Sequence, residues 1–297
     1  MQPQLNTDSI ASFDRVVIVG VGLLGGSIGL ALRERRIANK VVGVGRSDVS
    51  REKAVACGAV ESCVGELGAA FDLLPDGEAD LVVICTPVMR IAEFAKASAP
   101  RVAVGGLITD VGSTKANIAT ELSNTPQFVG SHPLAGSDRS GPEFADAHLF
   151  EGRTVVVTPS EGETSQERGN EVVIGLAESF WTALGGITLR MTAAEHDRAV
   201  ALTSHLPHLL AANLARETPE SLLPLVASGW MDTTRIAGGN VEMWLQIIED
   251  NRQPILQAIN GYSDSLKLWS EAIESEDRTK IEELLKAGKH IRDSVGN

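Results

Sequence analysis

The chain has 297 residues, long enough for one large domain or two ordinary ones with a sizeable core. Its 43% hydrophobic and 22% charged content is that of a globular protein, and a net charge of −13 leaves no broad basic field for non-specific nucleic-acid binding. The three cysteines, Cys57, Cys63 and Cys85, form no C-x-x-C pair and fit a reducing compartment better than a disulfide framework.

Residues 1–13, with Pro3, Asn6, Thr7, Asp8 and Ser9, read as a polar tail. Seventeen uncharged residues then lie between Arg15 and Arg33, nearly the length of a membrane span. Five of them are glycine, and no basic segment precedes them as a secretory signal requires. A cytoplasmic protein without membrane contact is expected.

Within that stretch Val16-Val17-Ile18-Val19 runs into Gly20-x-Gly22-x-x-Gly25, followed by a helix-like run through Leu32. A continuous apolar run reads as a buried parallel strand. The glycines allow a tight turn and close approach of backbone to a pyrophosphate, which the next helix meets with its N-terminal N–H groups. Gly20, Gly22, Leu23, Leu24 and Gly25 are therefore candidate cofactor-binding residues, with a glycine-rich packing turn as the alternative.

Further strands are predicted at Lys40–Gly45, Ala79–Pro87, Arg101–Asp110, Gln127–His132 and Arg153–Pro159. Helical stretches at Arg51–Cys57, Val88–Ala97 and Lys115–Ser123 alternate with them, with Ser47 or Asp48 as a cap before the first and Gly58 as its stop. This alternation implies a doubly wound parallel sheet. Ser160–Asn170 is polar and reads as an exposed connection. Beyond it helical periodicity dominates, at Glu195–Arg216, Val241–Asp250, Pro254–Ser275 and Asp277–Arg292, with one strand-like interruption at Gly186–Arg190. The fold expected is an α/β Rossmann-like domain over 14–160 and an all-helical domain over 161–297.

In such a fold an acid about 20 residues after the loop selects NAD, whereas an arginine there accommodates the 2′-phosphate of NADP. Here the chain reads Gly45-Arg46-Ser47. Arg46 and Ser47 thus point to NADP, with NAD as the alternative should Asp48 reach the ribose.

Ligands in these sheets sit at the carboxyl ends of strands, which makes Thr86, Pro87 and Asp110 candidate cofactor contacts and draws attention to Ser113 and His132. Thr86 and Asp110 can equally serve ordinary loop chemistry, and Ser113 can be a helix N-cap. His132 sits before Pro133 and a glycine-containing loop, and a neutral imidazole there suits proton transfer near pH 7. In Glu195–Arg216, Asp197 and His208 lie eleven residues apart, three α-helical turns, and share a face; Pro207 should kink the helix. His205 and His208 lack an H-E-x-x-H partner, so no metal is expected. Arg235, in a polar glycine-flanked segment, can clamp a substrate carboxylate or pair with Asp232.

Taken together these motifs resemble the prephenate/arogenate dehydrogenases of tyrosine biosynthesis. The resemblance rests on Gly20–Ser27, Thr109–Lys115, Ser131–Ser137, Ser204–His208 and Asp232–Ala237, in that order, and runs from Val16 to about Ser275. It implies a helical domain that forms an intertwined homodimer, and oxidative decarboxylation of a cyclohexadienyl carboxylate with hydride transfer to the cofactor. By the same resemblance His132 matches the catalytic histidine and Ser113 the serine that orients the substrate hydroxyl. Arg235 matches the carboxylate-binding arginine, His205 and His208 match residues lining the substrate, and Asp197 matches an acid of the same helix. With only 22 residues after Ser275 for the regulatory domain that some relatives append, and nothing before Arg15 that reads as a fused mutase, a monofunctional enzyme is expected. Gly45-Arg46-Ser47 resembles NADP users that often prefer arogenate, while the second histidine of Ser204–His208 resembles prephenate users; the balance leans to arogenate. Two other readings are a β-hydroxyacid dehydrogenase, disfavoured because Glu195–Arg216 holds no lysine, and a non-enzymatic dinucleotide-sensing module.

Overall fold

In the computed structural model, which describes residues 12–136, 139–159 and 167–295, the apolar run becomes the C-terminal part of β1 (Phe13–Val19). Val16 and Ile18 pack on one face of the sheet and Val17 and Val19 on the other, so both faces are buried and the strand has no polar side. Helix α1 (Leu23–Glu34), β2 (Ala38–Val44), α2 (Asp48–Ala56), β3 (Ser62–Val64) and α3 (Leu67–Asp72) follow. The alternation continues through β4 (Ala79–Ile84), α4 (Val88–Ser98), β5 (Val102–Asp110), α5 (Ala116–Glu121) and β6 (Phe128–Pro133). The sheet order is β3-β2-β1-β4-β5-β6-β7-β8, parallel from β3 to β6. Strand order therefore reverses between β1 and β4, the switch point at which dinucleotides bind in such sheets.

Two strands extend this plan. β7 (Thr154–Thr158) pairs antiparallel with β6, and β8 (Ile187–Arg190) pairs parallel with β7. Between them α6 (Glu167–Ala183) lays Ile174, Ala177, Phe180 and Trp181 into the same core layer as Ile18, Leu81 and Val129.

This corrects the expected break at residue 160. The described residues fall into two compact units, one within Met1–Ala199 plus Gly239–Asp250 and one within Val200–Gly238 plus Asn251–Asn297. The strand-like Gly186–Arg190 stretch is no interruption of a helical domain; it closes the edge of the sheet, and α6 covers the sheet's face. Helix α10 (Val241–Asp250) also belongs to the sheet unit, where Asp250 accepts hydrogen bonds from Thr114 Oγ1 at 2.5 Å and Asn117 Nδ2 at 2.8 Å. The expected polar tail lies outside the described residues up to residue 11, as does the exposed connection over 160–166.

The long helix predicted from Glu195 is three pieces: α7 (Ala193–Val200), a π turn (Ala201–His205) and α8 (Leu206–Glu217). Leu206 N–H reaches back five residues to Ala201. The wide turn sits directly before Pro207, which has no N–H to continue an α-helical ladder. Eleven residues across such a turn are not three α-helical turns, so the shared face expected for Asp197 and His208 loses its geometric basis. The helical unit is completed by α9 (Ser228–Thr234), α11 (Arg252–Glu274) and α12 (Arg278–Val295). Among the described residues no helix is long and apolar enough to cross a membrane.

Trp181→Ala tests whether α6 belongs to the sheet. Removing this fully buried side chain should cost about 3–5 kcal/mol in urea unfolding followed by far-UV circular dichroism. A loss of less than about 1 kcal/mol would mean that α6 is not part of the sheet's core.

Candidate active site

The three glycines of the loop are required for three different reasons. Gly20 has φ +97°, and a Cβ there would lie 2.5 Å from Cys85 O, so only glycine lets β1 turn beside β4. A Cβ on Gly25 would lie 2.1 Å from Gly20 O, so its absence lets α1 close onto the strand. Gly22 is the N-cap of α1 without a side-chain cap, and a Cβ there would meet nothing within 4 Å. The open side of the loop is therefore at Gly22, where first-turn N–H groups can meet an anion. Beside it, at the tip of β4, Thr86 Oγ1 is buried without a hydrogen-bond partner among the described residues. An open cradle and an orphaned hydroxyl at the switch point fit a dinucleotide.

At the tip of β2, Arg46 and Ser47 are exposed. Ser47 caps α2, its hydroxyl oxygen accepting Ser50 N–H at 3.2 Å, while the hydroxyl hydrogen stays available to donate. Asp48, the alternative ribose partner, is ion-paired with Arg51, whose other nitrogen donates to Gly45 O at 2.9 Å. The local acid is thus engaged away from Arg46.

Asp110, expected at the cofactor, is wholly buried. Its Oδ2 accepts from Gly112 N–H at 2.8 Å and from the buried Lys115 ammonium, and its Oδ1 accepts from Ser131 N–H at 3.0 Å. The side chain joins the ends of β5 and β6 and is not placed to touch a ligand. Burial, with a smaller push from the Asp110 charge, drives the Cys85 thiol far above its ordinary pKa, so this cysteine stays a neutral packing residue. Ser113 lies half-buried in the loop after β5 and does not cap α5, whose N-cap is Lys115.

That cap is supplied from elsewhere. Asp197 on α7 accepts Lys115 N–H through Oδ1 and Ala116 N–H through Oδ2, each at 2.8 Å. Its Oδ1 is also 2.8 Å from His196 Nδ1. With 3% of its surface exposed, Asp197 is a buried anchor rather than the substrate contact expected. His196, fully buried, places Nε2 2.8 Å from Nδ1 of the half-buried His132, the two rings meeting edge to face at 73°. His132 stands at the carboxyl end of β6, opposite Val156 of β7. Sequence reasoning missed His196 because attention went to the histidines around Pro207. The available signal was local: Thr192-Ala193-Ala194-Glu195 is a capping box, realised by Thr192 N–H to Glu195 Oε2 at 2.9 Å and Glu195 N–H to Thr192 Oγ1 at 3.1 Å. It starts α7 so that the His196-Asp197 pair falls at the end of its first turn and the start of its second.

In the helical unit His205 is 1% exposed and its Nδ1 lies 3.1 Å from Asn251 Nδ2, which makes it an interior residue rather than a lining one. His208 is held below its ordinary pKa by burial, partly offset by a hydrogen bond to the Ile236 backbone. That bond ties α8 to the segment carrying Arg235, which is exposed after α9. Among the described residues no ion pair joins Arg235 to Asp232. Ser137 and Asp138, in the loop after His132, lie outside the described residues. No cluster of three or more potential metal ligands occurs among the described residues.

Residues 28–186 match the family model "Prephenate dehydrogenase, nucleotide-binding domain", and residues 192–287 match "Prephenate dehydrogenase, dimerization domain". The chain is 32% identical to the prephenate dehydrogenase of Bacillus subtilis, over 95% of this chain and 76% of that protein. It is 30% identical to the cyclohexadienyl dehydrogenase of Zymomonas mobilis, over 94% of this chain and 95% of that one. The structure of Aquifex aeolicus prephenate dehydrogenase in complex with hydroxyphenyl propionate and NAD+ superposes with a TM-score of 0.85 at 30% identity, covering 96% of this chain and 99% of that one. With both units matched in order, the chain belongs to the prephenate dehydrogenase family, whose members are nicotinamide-dependent oxidoreductases.

Proposed function

We propose that the protein oxidatively decarboxylates a cyclohexadienyl carboxylate, arogenate ahead of prephenate, with NADP as the preferred hydride acceptor, and that it works as a homodimer. The observation that carries this reading is a strand-end imidazole, His132, on the same sheet as a glycine loop whose open side lies at Gly22. When bound, the nicotinamide supplies the two-electron acceptor. His132 takes the proton of the substrate hydroxyl as that carbon loses hydride. It returns the proton to the same oxygen once the electron pair of the breaking carboxylate bond has entered the ring. The products are CO₂, a phenol and reduced cofactor, with no net proton released. Ser113, in the loop beside β6, orients the hydroxyl. Arg235 and the neutral His208 hold the substrate's carboxylate end, and no acid among them competes for that charge.

Exposed Arg46, with Asp48 occupied by Arg51, supports NADP over NAD. The exposed apolar side chains Leu256, Ile259 and Leu266 on α11, with Leu285 and Ile291 on α12, support association through the unit that matches a dimerization domain.

Initial rates with arogenate and prephenate, each with NAD and NADP, test the reading. NADP should give the higher kcat/KM, and Arg46→Ala should lower it by about 10-fold or more while leaving NAD nearly unaffected. A wild-type preference for NAD refutes the cofactor assignment. His132→Asn should lower kcat by about 10²–10⁴-fold, and near-full activity would remove the proposed base. In Arg235→Ala the substrate KM should rise about 10- to 150-fold with cofactor affinity nearly unchanged; weakened NADP binding instead would displace Arg235 from the substrate.

A further inference from the structure

We propose that His196 is a positioning residue that fixes the tautomer and ring plane of His132, so that Nε2 of His132 is the proton-accepting atom. The inference rests on the dehydrogenase reading above, but its basis is a chain of hydrogen bonds among the described residues, Asp197 to His196 to His132, which for neutral rings orders the protons in one direction.

The chain begins at Asp197, whose carboxylate can only accept. It already accepts the N–H groups of Lys115 and Ala116. His196 Nδ1, 2.8 Å from Asp197 Oδ1, must therefore carry a hydrogen. In a neutral imidazole this leaves a lone pair on His196 Nε2. That nitrogen is 2.8 Å from His132 Nδ1, and two ring nitrogens at this distance share one hydrogen. It resides on His132 Nδ1, and the lone pair of His132 falls on Nε2. A doubly protonated His196 would donate from both nitrogens and reverse the pattern, which is the alternative that the spectrum below tests.

The arrangement is rigid as well as ordered. The capping box of Thr192 and Glu195 fixes the start of α7, and Asp197 fastens the same turn to α5. His196 therefore meets His132 from a scaffold held at both ends. When His132 takes the substrate proton on Nε2, its Nδ1–H still donates to a neutral acceptor, with the Asp197 charge beyond it. The proton stops at His132, and His196 need not pass it on.

Two substitutions and one spectrum test this. His196→Phe fills the ring space but removes the acceptor, whereas His196→Gln restores an acceptor oxygen near the position of Nε2. The Phe variant should lose about 10- to 100-fold in kcat with the KM of both substrates changed less than about threefold, and the Gln variant should recover most of that loss. In wild-type enzyme labelled with ¹⁵N, the imidazole spectrum, assigned with His132→Asn, should show neutral His132 as the Nδ1–H tautomer. A His132 in the Nε2–H tautomer overturns the proposal. Unchanged kcat in the Phe variant does so too, as does a Gln variant no better than Phe. Should His196→Phe fail to fold, the Gln variant and the wild-type spectrum decide. If wild-type enzyme oxidises no cyclohexadienyl acid, the functional reading fails, and the spectrum still decides the tautomer.

Discussion

One buried carboxylate holds the polar end of the sheet unit together. Asp197 accepts hydrogen bonds from Lys115 N–H, Ala116 N–H and His196 Nδ1, so a single side chain joins α7 to the start of α5 and, through His196, to the end of β6. Helix α5 has only six residues, and the side chain of its N-cap, Lys115, makes no capping hydrogen bond. A short helix with its first N–H groups bare is poorly stable, because each such group needs a partner. Asp197 provides the cap from 81 residues away, with an ionised acceptor worth about 1.5–3 kcal/mol per hydrogen bond. The loop carrying Ser113 is therefore only as well placed as Asp197 is.

Around the switch point the same economy of space governs the backbone. Gly20 and Gly25 are excluded volumes: any larger residue would strike Cys85 O or Gly20 O. Gly22 is the opposite, since nothing in the chain lies near where its Cβ would be. A loop meant only to pack helix on strand would need the first two constraints and not the third. The open glycine is the feature that separates a ligand cradle from a packing turn, and the sequence pattern alone does not distinguish them.

Much of the sheet could be read directly from the chain, because buried parallel strands are continuous apolar runs and their punctuation is glycine and proline. The 14–160 boundary was misplaced for a physical reason. Helix α6 and β8 look like the start of a helical half, yet Phe180 and Trp181 belong to the sheet's core and β8 extends its edge. Composition reports local propensity, whereas membership of a core is a non-local property. The π turn was hidden in the same way, since Pro207 announces a kink but not the width of the turn before it. At the candidate site His132 was legible from its place at a strand end. His196 was not, because its importance comes from a contact with a residue 64 positions away.

Among the described residues two acids near the strand end of His132, Asp110 and Asp197, bear on the proposal that an imidazole handles the proton there. Asp110 is enclosed by Gly112 N–H, Ser131 N–H and the Lys115 ammonium; Asp197 is enclosed by two backbone N–H groups and His196. Both are buried and both spend their oxygens on the protein itself. A carboxylate used this way orders the loops and strand ends, and it cannot also turn toward a substrate without releasing them. His132 differs in having two chemically distinct nitrogens on one rigid ring. One nitrogen meets the scaffold through His196, and the other is the one to which the proposal above assigns the proton. Imidazole is the ordinary side chain that can be held and remain a base at the same time, because its two functions lie on separate atoms. Asp110 and Asp197 thus carry the structural burden around the ring to which the proposal assigns the chemistry.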